Sequence, residues 1–484
     1  MESVSLLIGD RDTAAKGGAT FERLNPISGE VATRAAAASA EDAVAAAEAA
    51  AKAFPAWSAL GPNARRARLN EAAELLEARS AEFATLMTAE TGSTAGWAHF
   101  NVHLAALILR EAAALTTQVS GEVVPSDVPG ALALAIRQPV GVVLGIAPWN
   151  APVILGVRSI ATPLACGNTV VLKASEVCPA THRLIGTVLK EAGLGEGVIN
   201  VITHRAEDAA VVSEALIGHP GVRRVNFTGS SRVGRLVAQT GAKYLKPVLL
   251  ELGGKAPLIV LEDADIDAAV SATVFGAFAN SGQICMSTER AIVHERVADE
   301  FAVKLAKRVL ELPAGDPRQG EVVLGSVIGR PTVDRVDRLV ADAVKQGAKV
   351  LTGGEPTAGR LMKGVVVDHV TPQMELFREE TFGPHVSIIR VKSAEEALAV
   401  ANDTEYGLSA AIFTRDIAKG LELAKRLDAG ITHINSPTVQ DEAQMPFGGV
   451  KSSGYGRFGG RAGVNEFTEL RWVTIQTTPR HYPF

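Results

Sequence analysis

The sequence predicts an α/β protein of two lobes with a small β extension, and three patterns in it lead there. Between residues 140 and 252, five short apolar runs rich in β-branched residues alternate with helical segments. A second alternation of the same kind follows Gly254. Two more strand-like stretches, at 131–138 and 469–476, stand outside both. Short buried strands alternating with helices are the pattern of parallel sheets wound in βαβ units.

The elements follow in order. Residues 41–57 and 63–90 are rich in Ala, Leu, Glu and Arg at helical spacing, and Gly92 is suited to end the second helix. The first lobe's strands are expected at 140–146, 168–173, 197–203, 222–228 and 247–252, with helices near 152–165, 180–192, 206–217 and 230–240. The second lobe's strands include 257–261, 386–391, 408–414 and 430–435, and its helices 266–279, 298–312 and 394–402. The uncharged stretch between Arg137 and Arg158 is long enough to cross a bilayer. Pro139, Pro148 and Pro152 would break such a helix, so it reads as a strand, a turn and the start of a helix.

Composition narrows the function classes. A chain of 484 residues, 47% hydrophobic and 21% charged, is long enough to bury a large core without disulfides or metals. Forty-eight basic residues against 53 acidic ones leave a net charge of -5 and no basic block, which argues against a nucleic-acid partner. The three cysteines, Cys166, Cys178 and Cys285, form no C-x-x-C pair, so neither a disulfide framework nor a zinc site is expected. No secretory leader is evident at Met1, and a soluble cytoplasmic protein with no membrane partner is expected.

Three segments carry possible chemistry. Cys285 follows a helix and a polar Asn-Ser-Gly-Gln turn, which would expose its sulfur to a substrate; an isolated cysteine is more often structural, as Cys166 and Cys178 are expected to be. Glu251 ends an apolar strand before Leu-Gly-Gly-Lys255. Partial burial would suit it to general-base work, although an ordinary strand-end carboxylate fits equally. Asn150, in Pro148-Trp-Asn150, either caps the next helix or offers an amide to a developing oxyanion.

The G-x-G-x-x-G dinucleotide fingerprint is absent. Instead Phe227-Thr-Gly229-Ser230, followed by Gly234, lies between a strand and a helix whose free N–H groups suit a phosphate. Lys173 and Glu176 stand at the end of another strand of that sheet, where ligands of such sheets bind.

Together these segments resemble the NAD(P)-dependent aldehyde dehydrogenase superfamily over nearly the whole chain. Five motifs in order carry the resemblance: P-W-N at 148–150, F-T-G-S at 227–230, E-L-G-G-K at 251–255, N-S-G-Q-I-C at 280–285 and E-E-T-F-G-P at 379–384. It implies a Rossmann-like cofactor domain (1–120 and 140–250), a catalytic domain (251–440) and an oligomerisation arm (121–139 and 465–484) of a homodimer or homotetramer. It implies Cys285 as the nucleophile, Asn150 as oxyanion donor and Glu251 as the base that hydrolyses a thioester. Trp149, Lys173, Glu176, Gly229, Ser230, Gly234, Glu380 and Phe382 would contact the cofactor, with Glu176 favouring NAD over NADP. One segment departs from the family's pattern: many members carry further glycines where this chain has Val201-Ile-Thr-His-Arg205.

The same resemblance places the helix after Asn150 along a substrate tunnel. By helical spacing its tunnel-facing positions would be Ala151, Ile154, Leu155 and Arg158. A preceding helix could present Trp97, Asn101 and Leu104 on one face, with core packing an equal alternative for Trp97. A wide pocket holding Trp97, Ile154 and a single Arg158 resembles the salicylaldehyde, vanillin and benzaldehyde dehydrogenase branch, with salicylaldehyde the leading substrate. Succinate-semialdehyde dehydrogenase is the alternative, since an arginine there would bind the substrate's carboxylate. A CoA-acylating relative is disfavoured by Glu251, and a non-catalytic descendant by the intact set of Asn150, Glu251 and Cys285.

Overall fold

Four sheets organise residues 1–484 of the computed structural model. The largest has eight strands, centred on Val142–Ile146 with Val222–Thr228 on one side and Thr169–Lys173 on the other, all parallel. Every residue of Val142–Ile146 and Thr169–Lys173 is buried, as a strand covered by helices on both faces requires. Val248–Glu251 extends the sheet beyond Val222–Thr228, and Gly454–Tyr455 closes that edge antiparallel to it. Ile199–Ile202 extends the other side, followed by the N-terminal strands Leu6–Ile8 and Arg11–Thr13.

The second sheet has seven strands, with Thr288–His294 at its centre between Ala256–Val260 and His385–Val391. Only its edge pair, Lys349–Thr352 with Val365–Asp368, is antiparallel. A third sheet stands apart: Thr468–Gln476 runs antiparallel to Ala131–Pro139, with Glu122–Val124 on the far side. The fourth, Glu2–Val4, Val31–Ala36 and Thr20–Leu24, packs near the N-terminus. No helix is long and apolar enough to cross a membrane, and residues 137–158 form the end of Ala131–Pro139, the strand Val142–Ile146, a turn and the opening of the helix Pro152–Ala165.

The expected elements differ from the observed ones in several places. Residues 63–90 form two helices, Pro62–Ala78 and Ser80–Thr91, bent at Arg79 (φ -98°, ψ 18°). No glycine or proline marks that bend. It lets the second helix turn onto Ala95–Leu115, so packing overrides propensity. The central strand Thr288–His294 is absent from the expected list because it opens with Thr-Glu-Arg, charges that read as surface but are buried here. The helix Arg330–Lys345 and the N-terminal strands were likewise not expected.

The crossing from one large sheet to the other positions the site. Val248–Glu251 ends the first sheet and, four residues on, Ala256–Val260 begins the second. The helix Ile266–Phe278 then returns the chain through residues 279–287 to the centre of the second sheet.

Candidate active site

The crossing segment and the 279–287 turn meet so closely that one glycine is obligatory. A Cβ on Gly254 would stand 2.2 Å from the carbonyl oxygen of Cys285. Ahead of that cysteine, Asn280, Ser281 and Gly282 hold φ of 49°, 54° and 71°, three successive left-handed residues of which two carry side chains. Such strain persists only where the surroundings hold it. Gln283 does part of this, donating to Asn280 O at 3.1 Å and accepting from the Ile328 N–H at 2.8 Å.

Asn150 ties the turn to the first sheet. Its Nδ2 donates to Gln283 O at 3.0 Å, and its own carbonyl accepts from Asn280 Nδ2 at 2.9 Å and from Trp97 Nε1 at 2.9 Å. A side-chain amide has two N–H groups, so one remains for a ligand.

Cys285 borders two cavities. One, of about 300 Å³, is lined by Trp149, Gly229, Ser230, Glu251, Glu380 and Phe382 among others. The other, of about 240 Å³, is mostly apolar and is lined by Trp97, Phe100, Ala151, Ile154, Arg158, Phe275, Asp441 and Phe447 among others. Asn150, Leu155 and Cys285 belong to both walls. Cys285 is the one half-buried cysteine; Cys166 and Cys178 are buried.

Glu251 is 1% exposed, and both its carboxylate oxygens are buried without a hydrogen-bond partner. Burial pushes its pKa up to about 8, against the smaller downward pull of Cys285 and Arg158. The Cys285 thiol is likewise pushed well above its ordinary value, by burial first and by Glu251 second. Glu380 is raised to about 7 by burial and then by Glu289. Its Oε1 accepts the Gly254 N–H at 2.9 Å.

The loop bearing Glu380 and Phe382 is fastened from beneath by a buried ion pair, Lys255 with Glu289. Lys255 also donates to Glu379 O at 2.6 Å, and Glu289 accepts the backbone N–H groups of Thr381 and Phe382. Phe382, at φ 49°, meets Trp149 edge to face with ring centroids 5.9 Å apart. Sequence reading did not single out Lys255 or Glu289 as supports, because their pairing joins the residue before one strand to the neighbouring strand 34 residues on.

The remaining candidates fall in different places. Lys173 is buried at the end of its strand, with Nζ 2.6 Å from His204 Nε2. His204 Nδ1 lies 2.8 Å from Arg205 O, which places the ring proton on Nδ1 and leaves Nε2 to accept from Lys173. Burial lowers Lys173 to about 8 and His204 to about 4. Glu176 is half-buried in the loop that follows. None of Lys173, Glu176 and Gly234 lines either cavity at Cys285. Gly234 sits inside the helix Ser231–Lys243, where a Cβ would strike Leu252 at 2.4 Å, so it serves helix-to-strand packing.

On the apolar side the expected face of the helix Ala95–Leu115 needs correction. Trp97 and Phe100 line the cavity, stacked with centroids 5.4 Å apart. Asn101 and Leu104 are buried behind them, Asn101 donating to Trp97 O at 3.0 Å. The i, i+3 neighbour takes the place expected of i, i+4. Arg158 is not a free cation: it is paired with Asp441 and lies 4.3 Å over the Phe447 ring. Asp441 and Phe447 stand nearly three hundred residues further on, beyond any periodicity signal.

A cysteine between two cavities, a buried carboxyl beside it and a loop bearing Glu380 and Phe382 come together where the two large sheets of this α/β scaffold meet. The chain belongs to the aldehyde dehydrogenase family, whose profile matches residues 13–473. Members of this family use NAD(P), act on small-molecule aldehydes and are typically oligomeric. Among its relatives, the vanillin dehydrogenase of Pseudomonas fluorescens is 60% identical over 483 residues, 100% of each chain. The NAD(+) benzaldehyde dehydrogenase of Pseudomonas putida is 41% identical over 472 residues, covering 97% of this chain and 96% of that one. The crystal structure of a salicylaldehyde dehydrogenase from Pseudomonas putida G7, complexed with salicylaldehyde, superposes with a TM-score of 0.98 at 46% identity, covering 100% of both chains.

Proposed function

We propose that this enzyme oxidises hydroxylated benzaldehydes, salicylaldehyde and vanillin among them, to the corresponding benzoates with NAD+ through a thioester on Cys285. The observation that carries the chemistry is the Glu251 carboxyl, buried beside Cys285 with neither oxygen bonded. A carboxyl so placed is held near neutral pKa and is ready to take a proton from the thiol or from water. The Cys285 thiolate attacks the aldehyde carbon, and the resulting oxyanion is held by the free N–H of Asn150 and the backbone N–H of Cys285. NAD+ held against Trp149, Glu380 and Phe382 would supply the hydride acceptor, and Cys285 would then carry the acyl group as a thioester. Glu251 then deprotonates a water that attacks the thioester, releasing the acid and the thiolate.

The larger cavity suits a dinucleotide. Glu380 has an oxygen beyond the one bonded to Gly254, available to a ribose hydroxyl. Trp149 and Phe382 supply flat walls, and Gly229 and Ser230 lead into the N-terminus of the helix Ser231–Lys243. Lys173 and Glu176 would meet the adenosine ribose, where the Glu176 carboxylate favours NAD over a 2′-phosphate.

The aromatic reading is supported by the apolar cavity's walls, Trp97, Phe100, Ala151 and Ile154, and by the relatives' activities. Pairing with Asp441 neutralises Arg158, which disfavours the carboxylate of succinate semialdehyde. We assign 1–120 with 140–250 to cofactor binding, 251–440 to catalysis, and 121–139 with 465–484 to assembly as a homodimer or homotetramer. The exposed Leu470, Trp472 and Ile475 of the third sheet support that last role. Free cysteines are consistent with a cytoplasmic setting. The test is kcat/KM for benzaldehyde, salicylaldehyde, vanillin and succinate semialdehyde with NAD and NADP in parallel. Preference for the rings with NAD is expected; preference for the semialdehyde overturns the aromatic reading.

A further inference from the structure

Asp441 is the one carboxylate in the lining of the apolar cavity. Its side chain is 9% exposed, and one oxygen, Oδ2, is taken by Arg158. The other, Oδ1, is buried and has no hydrogen-bond donor. Leaving a charged acceptor buried and unbonded is costly, and structures keep such an atom where a ligand completes it. Arg158 Nη2 is the guanidinium nitrogen that meets Asp441, and no protein acceptor meets its Nη1 or Nε. Both residues line a mostly apolar chamber that also holds Asn150 and Gln440, and a small turn of the Asp441 carboxylate would present Oδ1 to a substrate there beside the guanidinium's unbonded N–H groups. Aliphatic, ether and unsubstituted aromatic groups can use only the donors or neither. A ring hydroxyl uses both: its hydrogen goes to the carboxylate and its oxygen accepts from the guanidinium.

We propose that Asp441 is a specificity-determining residue that accepts a hydrogen bond from the ring hydroxyl of the aldehyde, with Arg158 bonded to the same hydroxyl's oxygen. This rests on the aromatic reading above and narrows it to rings that carry a hydroxyl donor. An ether or a fluorine at that position satisfies Arg158 but leaves Oδ1 bare. A site built around a substrate hydroxyl discriminates strongly against analogues lacking it, because its own polar group is then stranded.

The experiment compares wild type and Asp441→Asn on 2-, 3- and 4-hydroxybenzaldehyde, with benzaldehyde as the reference within each protein. For the isomer wild type prefers, the kcat/KM ratio to benzaldehyde falls about tenfold or more in Asp441→Asn. A parallel loss on both aldehydes, or an unchanged ratio, overturns the assignment. Should the variant not fold, wild type alone decides through competitive inhibition by the unreactive hydroxybenzamides and fluorobenzamides. Hydroxyl forms binding about tenfold tighter support the role of Asp441; equal inhibition overturns it. If wild type oxidises none of these rings, the aromatic reading itself has failed, an outcome distinct from oxidation with an unaltered ratio.

Discussion

Gly254 and Cys285 touch backbone to backbone: the position of a Cβ on the glycine is 2.2 Å from the cysteine's carbonyl oxygen. No side chain fits there without moving the turn that carries the sulfur. Gly254→Ala should lower kcat by about a hundredfold, as small displacements at a reacting centre do, while the protein stays folded. Steady-state kinetics beside circular dichroism checks this; full activity would show that the turn yields freely.

Glu251 titrates at about 8 in the folded chain, against 4.5 for the ordinary carboxyl. Thioester hydrolysis should therefore climb with pH and level off above about 8. The fold favours the protonated form, so ionisation erodes stability progressively as pH rises from 4.5 towards 8 and the full penalty stands above it. Glu251→Gln should stop turnover yet melt about 1–3 °C above wild type at pH 9, with no gain at pH 4. Scanning fluorimetry at both pH values decides.

Glu289→Gln strands the buried Lys255 ammonium. Breaking a buried pair from one side costs about 3–5 kcal/mol, so a clear drop in the urea midpoint is expected. Because the Thr381 and Phe382 N–H groups also lose a charged acceptor, the Kd for NAD should rise more than the KM for aldehyde. Equal changes in both would separate this pair from the loop it fastens.

Lys173 carries its charge below about 8. If its ammonium meets the cofactor, NAD binding weakens between pH 7 and pH 9, and Lys173→Met binds about tenfold more weakly with a flat profile. Fluorescence titration of the apoenzyme reads this directly; an unaltered pH profile in the variant would place the lysine outside the cofactor site.

Arg158→Ala should raise KM more for hydroxylated than for unsubstituted benzaldehyde, by about tenfold against about twofold. Equal effects would reduce the arginine to packing on Phe447.

Much of this was legible in the sequence because local chemistry spelled it out. The β-branched runs around Val142–Ile146 and Val222–Thr228, and the turn before Cys285, carry their roles in adjacent residues. What was not legible depends on distant partners. Glu289 and Arg290 look like surface charges until Lys255 and the carbonyls of Val400 and Ala401 surround them. Arg158 looks like a free cation until Asp441 arrives from the other end of the chain. Phe100 rather than Asn101 faces the cavity because the tilt of a helix against its neighbours is set by tertiary packing, which spacing alone does not encode.

The two chambers have only Asn150, Leu155 and Cys285 in common. Trp97, Phe100, Asp441 and Phe447 touch the apolar chamber alone. Trp97 also holds the Asn150 carbonyl, so the freedom lies with Phe100, Asp441 and Phe447, where change reshapes the apolar chamber without touching the other. Selection can therefore reshape one chamber without rebuilding the other, and a designer has the same freedom.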